Sequence, residues 1–337
     1  MKRVLLLTYV LIFCNVILVA QDIHFSQFYQ SPLTLNPALT GQFDGDYRFA
    51  GNYRNQWSSV TVPFQTFSLS VDAREPFKQK DIGAGILFVH DHTGDSKFRT
   101  TIFNVSGAYK FKINTDSTQF LSVGGMFGVT RKSLNFQFLT FDAQYNGFQY
   151  DASLPNGESF TNSRQTLINV HLGVSHEWNF GTRNKLTSGI AGFNLTSPKE
   201  SYFGNKSIAL DRRIVLHSQL NYQVAQNYDV IPTLLYMNQG TYNEFVLGAL
   251  GKFVVDDTPG VMYKAAYAGI LFRTRDAGYL TAGYQYRNWD VSISYDFNFS
   301  TLTPASNGLG GIELAAIYIL KQFKPQKVKH RICPDYI

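Results

Sequence analysis

The sequence predicts an all-β protein, a transmembrane antiparallel β-barrel of about fourteen strands with a short N-terminal lead-in. Three observations lead there. Apolar and polar residues alternate with period two along most of the chain. Aromatic residues make up 15% and charged residues only 16% of the sequence, against about 25% charged in an average soluble domain. Beyond the first twenty residues there is no long apolar run, as expected when only every second residue of a strand faces lipid.

The chain opens with Lys2 and Arg3. Val4 to Ala20 is apolar apart from Thr8 and Asn15, and Gln21-Asp22 is polar. This is the layout of a secretory signal peptide, residues 1–20. The apolar run is short for a membrane-spanning helix, which takes roughly 20 residues. Removing it takes Cys14 away and leaves Cys333 alone, so no intramolecular disulfide can form. The formal charge is +6, and lower once Lys2 and Arg3 are gone. So mild and dispersed a charge argues against nucleic acid as a partner. One exception is the C-terminal tail, residues 324–337, expected in the periplasm. With the preceding Lys321 it gathers Lys324, Lys327, Lys329 and Arg331, either as a solvated end or as a docking segment for a periplasmic partner or anionic lipid.

Alternation is cleanest late in the chain. Trp289, Val291, Ile293, Tyr295, Phe297 and Phe299 are separated by Asp290, Ser292, Ser294, Asp296, Asn298 and Ser300. Wound as a helix, this segment would be apolar all round. Extended, it has one apolar and one polar face. The same reading places strands near 46–57, 62–73, 82–91, 99–112, 119–132, 165–180, 185–196, 212–226, 228–238, 242–254, 262–273, 277–287, 289–300 and 311–323. Most reach the roughly 9–11 residues that a tilted strand needs to cross a bilayer. Unpaired backbone groups in lipid cost several kcal/mol each, so the sheet must close. An even strand number lets the last strand pair antiparallel with the first.

Connection lengths give a separate check. If the first strand runs outward from the periplasm, the two longest connections, 133–164 and 197–211, both fall outside. The short turns at 181–184, 227 and 288 fall inside. Long outer loops with short inner turns are the outer-membrane pattern. Trp57, Trp178 and Trp289 lie near strand ends, where amphipathic rings favour the headgroup boundary. Residues 46–323 therefore read as one barrel, and 21–45 as a lead-in or plug in which Asn36-Pro37 and Gly41 signal turns.

No catalytic set stands out, and no cofactor or metal is expected. His90-Asp91-His92 with Asp95 has a metal-like look, but it falls where a strand meets a turn. His171 and His176 are five residues apart and so lie on opposite faces of one strand. Alternation turns Asn104, Lys110, Asn169, His171, Glu177, Arg213, His217, Gln219, Asn221, Asp290 and Asp296 inward. Their mixed signs suit water with an inserted peptide, or internal salt bridges.

The opening segment resembles a known family. Phe25-Ser26-Gln27-Phe28-Tyr29, Ser31-Pro32-Leu33, Leu35-Asn36-Pro37-Ala38 and Gly41 look like the start of the PorP/SprF family. Tyr53-Arg54-Asn55-Gln56-Trp57, Pro63-Phe64, Ile82-Gly83-Ala84-Gly85 and Asp91-His92-Thr93-Gly94 continue the likeness, with His92 where a residue such as lysine is expected. The resemblance implies an outer-membrane barrel of the type IX secretion system in Bacteroidetes-type bacteria. It implies lipid, secretion components and a secreted cargo, such as a gliding adhesin, as partners, and no enzymatic activity. On that basis Phe25, Ser26, Gln27, Phe28, Tyr29, Pro32, Asn36, Pro37, Tyr53, Arg54, Asn55 and Trp57 are candidates for partner recognition, or for a clasp that seals the barrel. An outer-membrane channel or hydrophobic-solute transporter is the alternative.

Overall fold

A computed structural model describes residues 22–57, 62–94, 97–205, 207–258, 262–274, 276–299 and 308–321. The expected leader, Cys333 and the basic tail at 324–337 lie outside the described residues. Fourteen strands follow one another among them: β1 (Tyr47–Gln56), β2 (Phe64–Arg74), β3 (Ile82–Thr93), β4 (Phe98–Lys112), β5 (Gln119–Ser133), β6 (Arg164–Asn179), β7 (Lys185–Phe193), β8 (Arg213–Ala225), β9 (Tyr228–Gln239), β10 (Tyr242–Thr258), β11 (Met262–Arg273), β12 (Ala277–Tyr286), β13 (Trp289–Asn298) and β14 (Leu309–Leu320). Each pairs antiparallel with its neighbours in sequence. β1 pairs with β14, from Tyr47 opposite Leu320 to Gln56 opposite Gly311, and closes the barrel. Closure leaves the sheet no free edge, which lipid would not tolerate.

The alternation sorts as the sequence predicts. On β13, Trp289, Val291, Ile293 and Phe297 are exposed on the outside, while Ser292, Ser294 and Asp296 are buried inside. Aromatic pairs gather at the short-turn end of the barrel. Trp289 lies 4.7 Å from Tyr318, Trp178 4.6 Å from Phe180, and Tyr228 4.9 Å from Phe253, centroid to centroid. This is a belt of amphipathic rings at one boundary of the apolar band.

Both long connections emerge at the opposite end. Within the β5–β6 connection Phe136 stacks on Phe160 at 3.8 Å, and Phe160 against Phe203 at 5.0 Å ties it to the β7–β8 connection. Several strand boundaries differ from the sequence reading by one to four residues, and two of the differences have identifiable reasons. β7 stops at Phe193 because Asn194 turns off the strand with φ of 55° and donates its backbone N–H to His171 Nδ1 at 3.0 Å. β10 runs on to Thr258 because a register shift between Val254 and Asp256 takes up one extra residue and keeps the ladder going.

Residues 22–46 enter the barrel from its short-turn rim. Asp46 N–H donates to the Leu320 carbonyl there. Followed backwards, the segment climbs through the lumen to Asp22, whose N–H donates to Gln239 Oε1 at the end of β9, on the long-connection side. It coils through short turns at Phe28–Gln30, Pro32–Leu35 and Pro37–Leu39. Such turns need few partners beyond themselves, and Pro32 and Pro37 at their starts have no N–H to satisfy. Phe28, Leu35 and Leu39 pack with Val215, Leu235, Leu250 and Tyr279, and Leu33 packs with Leu87, Val89 and Met126. Each buried side chain of this size contributes roughly 1.5–3 kcal/mol.

Candidate functional site: the lumenal segment and the vestibule above it

Glycines set how closely the segment approaches the wall. A Cβ on Gly124 would stand 2.5 Å from the Pro37 carbonyl oxygen and 2.6 Å from Ala38 Cα. On Gly173 it would collide with Asn36 Oδ1, and on Gly83 with the Thr40 carbonyl. Into this space Asn36 donates from Nδ2 to the Val174 carbonyl at 3.0 Å and the Ile190 carbonyl at 3.3 Å. Its Oδ1 accepts the Ala38 N–H at 2.9 Å, which caps the next turn. Nearer the rim, Gly41 N–H donates to Asp72, whose carboxylate also holds Arg48 at 2.7 Å.

Higher up, charge does the holding. Glu313 accepts the backbone N–H groups of Ser26 at 2.8 Å and Gln27 at 3.0 Å, and Gln27 Nε2 donates to the Glu313 carbonyl. Ser26 Oγ donates to Asp296 at 2.8 Å. Arg54 reaches Asp296 at 3.1 Å and donates to the His24 carbonyl at 2.6 Å. Arg273 also pairs with Asp296 at 3.1 Å. All of these charged side chains are almost fully buried. Removing one partner from such a cluster strands a buried charge, at a cost of about 3–5 kcal/mol. His24 sits 3.4 Å from Glu244. Burial pushes its imidazole down to about 4, against the opposing pull of that carboxylate.

The candidate residues therefore separate. Phe25, Ser26, Gln27, Phe28, Pro32, Asn36 and Pro37 are buried in the lumen. Tyr29 joins them through its hydroxyl, which donates to Thr281 at 3.2 Å. Arg54 meets them from the inner face of β1. Tyr53 is on the outer face, 36% exposed, and Asn55 shares its parity. Trp57 follows β1 with φ of 56° and packs edge-on to Phe64 at 4.6 Å. Sequence reasoning missed Glu313, Glu244 and Arg273. Glu313 was visible as an acid set between Ile312 and Leu314 in an alternating strand. The inward charges that were foreseen are largely paired. Glu177 meets Lys110 at 3.2 Å and Lys185 at 2.8 Å, while Asp229 holds Arg183 and Lys252 near the short-turn rim.

The segment does not fill the whole lumen. Above Ile23, His24 and Thr34 lies a vestibule of about 850 Å³. It reaches the long-connection rim, where Trp57, Thr93, Phe98, Thr241 and Thr274 line it. One side of its wall is largely apolar, with Phe64, Leu87, Val89 and Ile102. The other is polar, with Asn169, His171, Asn194, Arg213 and Tyr242. Because His171 Nδ1 accepts from Asn194, its neutral ring carries the proton on Nε2. His90 and His92 have the opposite parity to Asp91 on β3, and His90 Nδ1 contacts Thr101 Oγ1 at 3.0 Å. Among the described residues, no group of three or more His, Cys, Asp or Glu side chains could hold a metal ion.

A closed antiparallel barrel with an apolar outer band and a polar, occupied lumen defines the class: an outer-membrane β-barrel. Its sequence matches that of the type IX secretion system membrane proteins PorP/SprF over residues 17–313, and the chain belongs to that family. Among solved structures it is similar to the CymD monoaromatic hydrocarbon channel, with 13% identity, 86% of this chain and 92% of that one covered, and a TM-score of 0.47. The Pseudomonas putida toluene transporter TodX shares 10% identity over 88% of this chain and 94% of its own, with a TM-score of 0.49. A Pseudomonas aeruginosa FadL homologue shares 12% identity over 84% and 92%, with a TM-score of 0.45. Among curated proteins none matches.

Proposed function

We propose that this barrel is a non-enzymatic accessory of type IX secretion that assists the export or surface attachment of a cargo protein such as a gliding adhesin. Membership of the secretion family supports this role. The observation that carries it is the one-sided lumen. Residues 22–46 enter at the short-turn rim and rise along one side of the lumen to Asp22, and the vestibule beside their upper part opens at the end bearing the long connections. By the outer-membrane pattern that end lies outside the cell. A barrel so arranged receives a segment of polypeptide from the outer side and holds it. It does not pass solute through. The lumenal segment forms the vestibule floor, so recognition and closure belong to one element.

Deleting residues 22–40 in cells tests the proposal. The barrel is expected to insert and the cargo to lose surface delivery. Unchanged delivery by an inserted, truncated barrel rejects a role for the segment in recognition.

A further inference from the structure

Two of the four carboxylates lining the vestibule, Glu200 and Asp276, are paired with a cation, and of the other two, Asp22 and Asp91, Asp91 is the more deeply buried. Glu200 is paired with Lys132 at 2.7 Å and Asp276 with Arg273 at 2.7 Å, while Asp22 accepts from Asn194 Nδ2 at 2.6 Å. Asp91 is only 9% exposed and has no cation within salt-bridge distance among the described residues. Its Oδ1 accepts the Thr66 hydroxyl at 2.6 Å and its Oδ2 the Thr93 hydroxyl at 2.6 Å. A carboxylate offers about four acceptor positions, so two remain. A buried charge without a counter-charge is costly and is normally paired.

Register shows what surrounds it. Thr66, Asp91 and Thr100 form one inward row across β2, β3 and β4. Phe64 and Phe98 lie nearer the rim, and Val89 and Ile102 lie deeper, all on the vestibule wall. Aromatic faces attract organic cations, and the aliphatic pair suits an alkyl stem. A hydrated metal ion would find neither enough oxygen ligands nor a polar collar here.

We propose that Asp91 is the anionic determinant of a binding site for an alkylammonium or guanidinium group, presented as a lysine or arginine side chain of a polypeptide held in the vestibule. The choice of a polypeptide rests on the function proposed above. The cavity is far larger than one amine needs and opens at the rim, so a side chain enters while its backbone stays in the wider space. Thr66 and Thr93 aim the carboxylate, and Phe64 and Phe98 flank its approach.

The test uses the purified full-length mature barrel in detergent micelles. Probes are a capped glycine pentapeptide with lysine at its centre, the norleucine and glutamate versions, and n-butylammonium. The wild type is expected to bind the lysine peptide at least roughly thirty-fold more tightly than the norleucine peptide. Asp91→Asn keeps both threonine hydrogen bonds possible and should erase that preference. Asp91→Glu should retain part of it. Heat-modifiable gel migration of each variant reports folding independently. Preference for lysine persisting in Asp91→Asn, or no preference in the wild type, overturns the proposal. Butylammonium binding as tightly as the lysine peptide assigns the site to free amines and overturns the polypeptide source alone. Because no secretion machinery is present, the result stands apart from the outcome of the deletion experiment.

Discussion

Below Asn36 the segment lies tight against the wall, and above His24 the lumen is hollow on one side, although the same fourteen strands wall both regions. The difference lies in which residues face inward. In the lower region the wall offers glycines and exposed carbonyls, at Gly83, Gly124, Gly173, Val174 and Ile190, and a backbone fits against them. In the upper region the β2–β4 face offers Phe64, Leu87, Val89 and Ile102, and the Asp91 row lines the vestibule among the described residues. One surface is shaped for a resident peptide. The other keeps a recess. A barrel can therefore be closed at one end and receptive at the other without a separate plug domain.

Several substitutions would break or sharpen that contrast. The largest effect is expected from Gly124→Leu combined with Gly173→Val. Both side chains point into the space of Pro37, Ala38 and Asn36, and the barrel strands themselves accept β-branched and aliphatic residues. The segment should be expelled, seen as protease cleavage within 22–40 of an otherwise heat-resistant barrel. Next comes Glu313→Ala, which leaves two backbone N–H groups and part of Arg54 without their partner. Seating should weaken by about 3–5 kcal/mol, read as faster hydrogen exchange at Ser26 and Gln27. The deeper apolar contacts of Leu33 and Leu35 should exchange more slowly.

A pH effect of intermediate size follows from His24. Its folded value, about 4, lies below the ordinary value of about 6.5. Its contribution to seating is therefore complete above about pH 6.5 and is lost as pH falls toward 4. The shift corresponds to about 3 kcal/mol. His24→Gln should remove this loss, read as slower exchange at Ser26 and Gln27 in the variant than in the wild type as pH falls from about 6.5 toward 4. The smallest effect on the fold is expected from Asp91→Asn, which removes an uncompensated charge and should leave thermal stability within about 1 kcal/mol or raise it slightly.

Much of the barrel was legible because period two is local. Trp289 to Asn298 declares its two faces without help from any other segment, and fourteen such stretches give the strand number. The lumenal path of residues 22–46 was not legible. Its turns are short, its polar groups are satisfied by strands around most of the barrel, among them β1, β2, β6, β7, β9, β12, β13 and β14, and those partners are up to 287 residues away in sequence. Tyr53 and Asn55 show the same limit from the other side. Their motif includes Arg54, yet strand parity sends them away from it. Asp91 was noticed beside His90 and His92 as a metal-like trio, and the pleat separates it from both. The end of β7 depended on Asn194 meeting His171 and Asp22, a contact that no window along the chain contains.

The most direct test is planar-bilayer conductance of the intact barrel beside the same barrel lacking residues 22–40. A lumen closed by its own N-terminal segment predicts no stable open level for the intact protein and steady conductance steps after the deletion. Equal, sustained conductance from both proteins would contradict it.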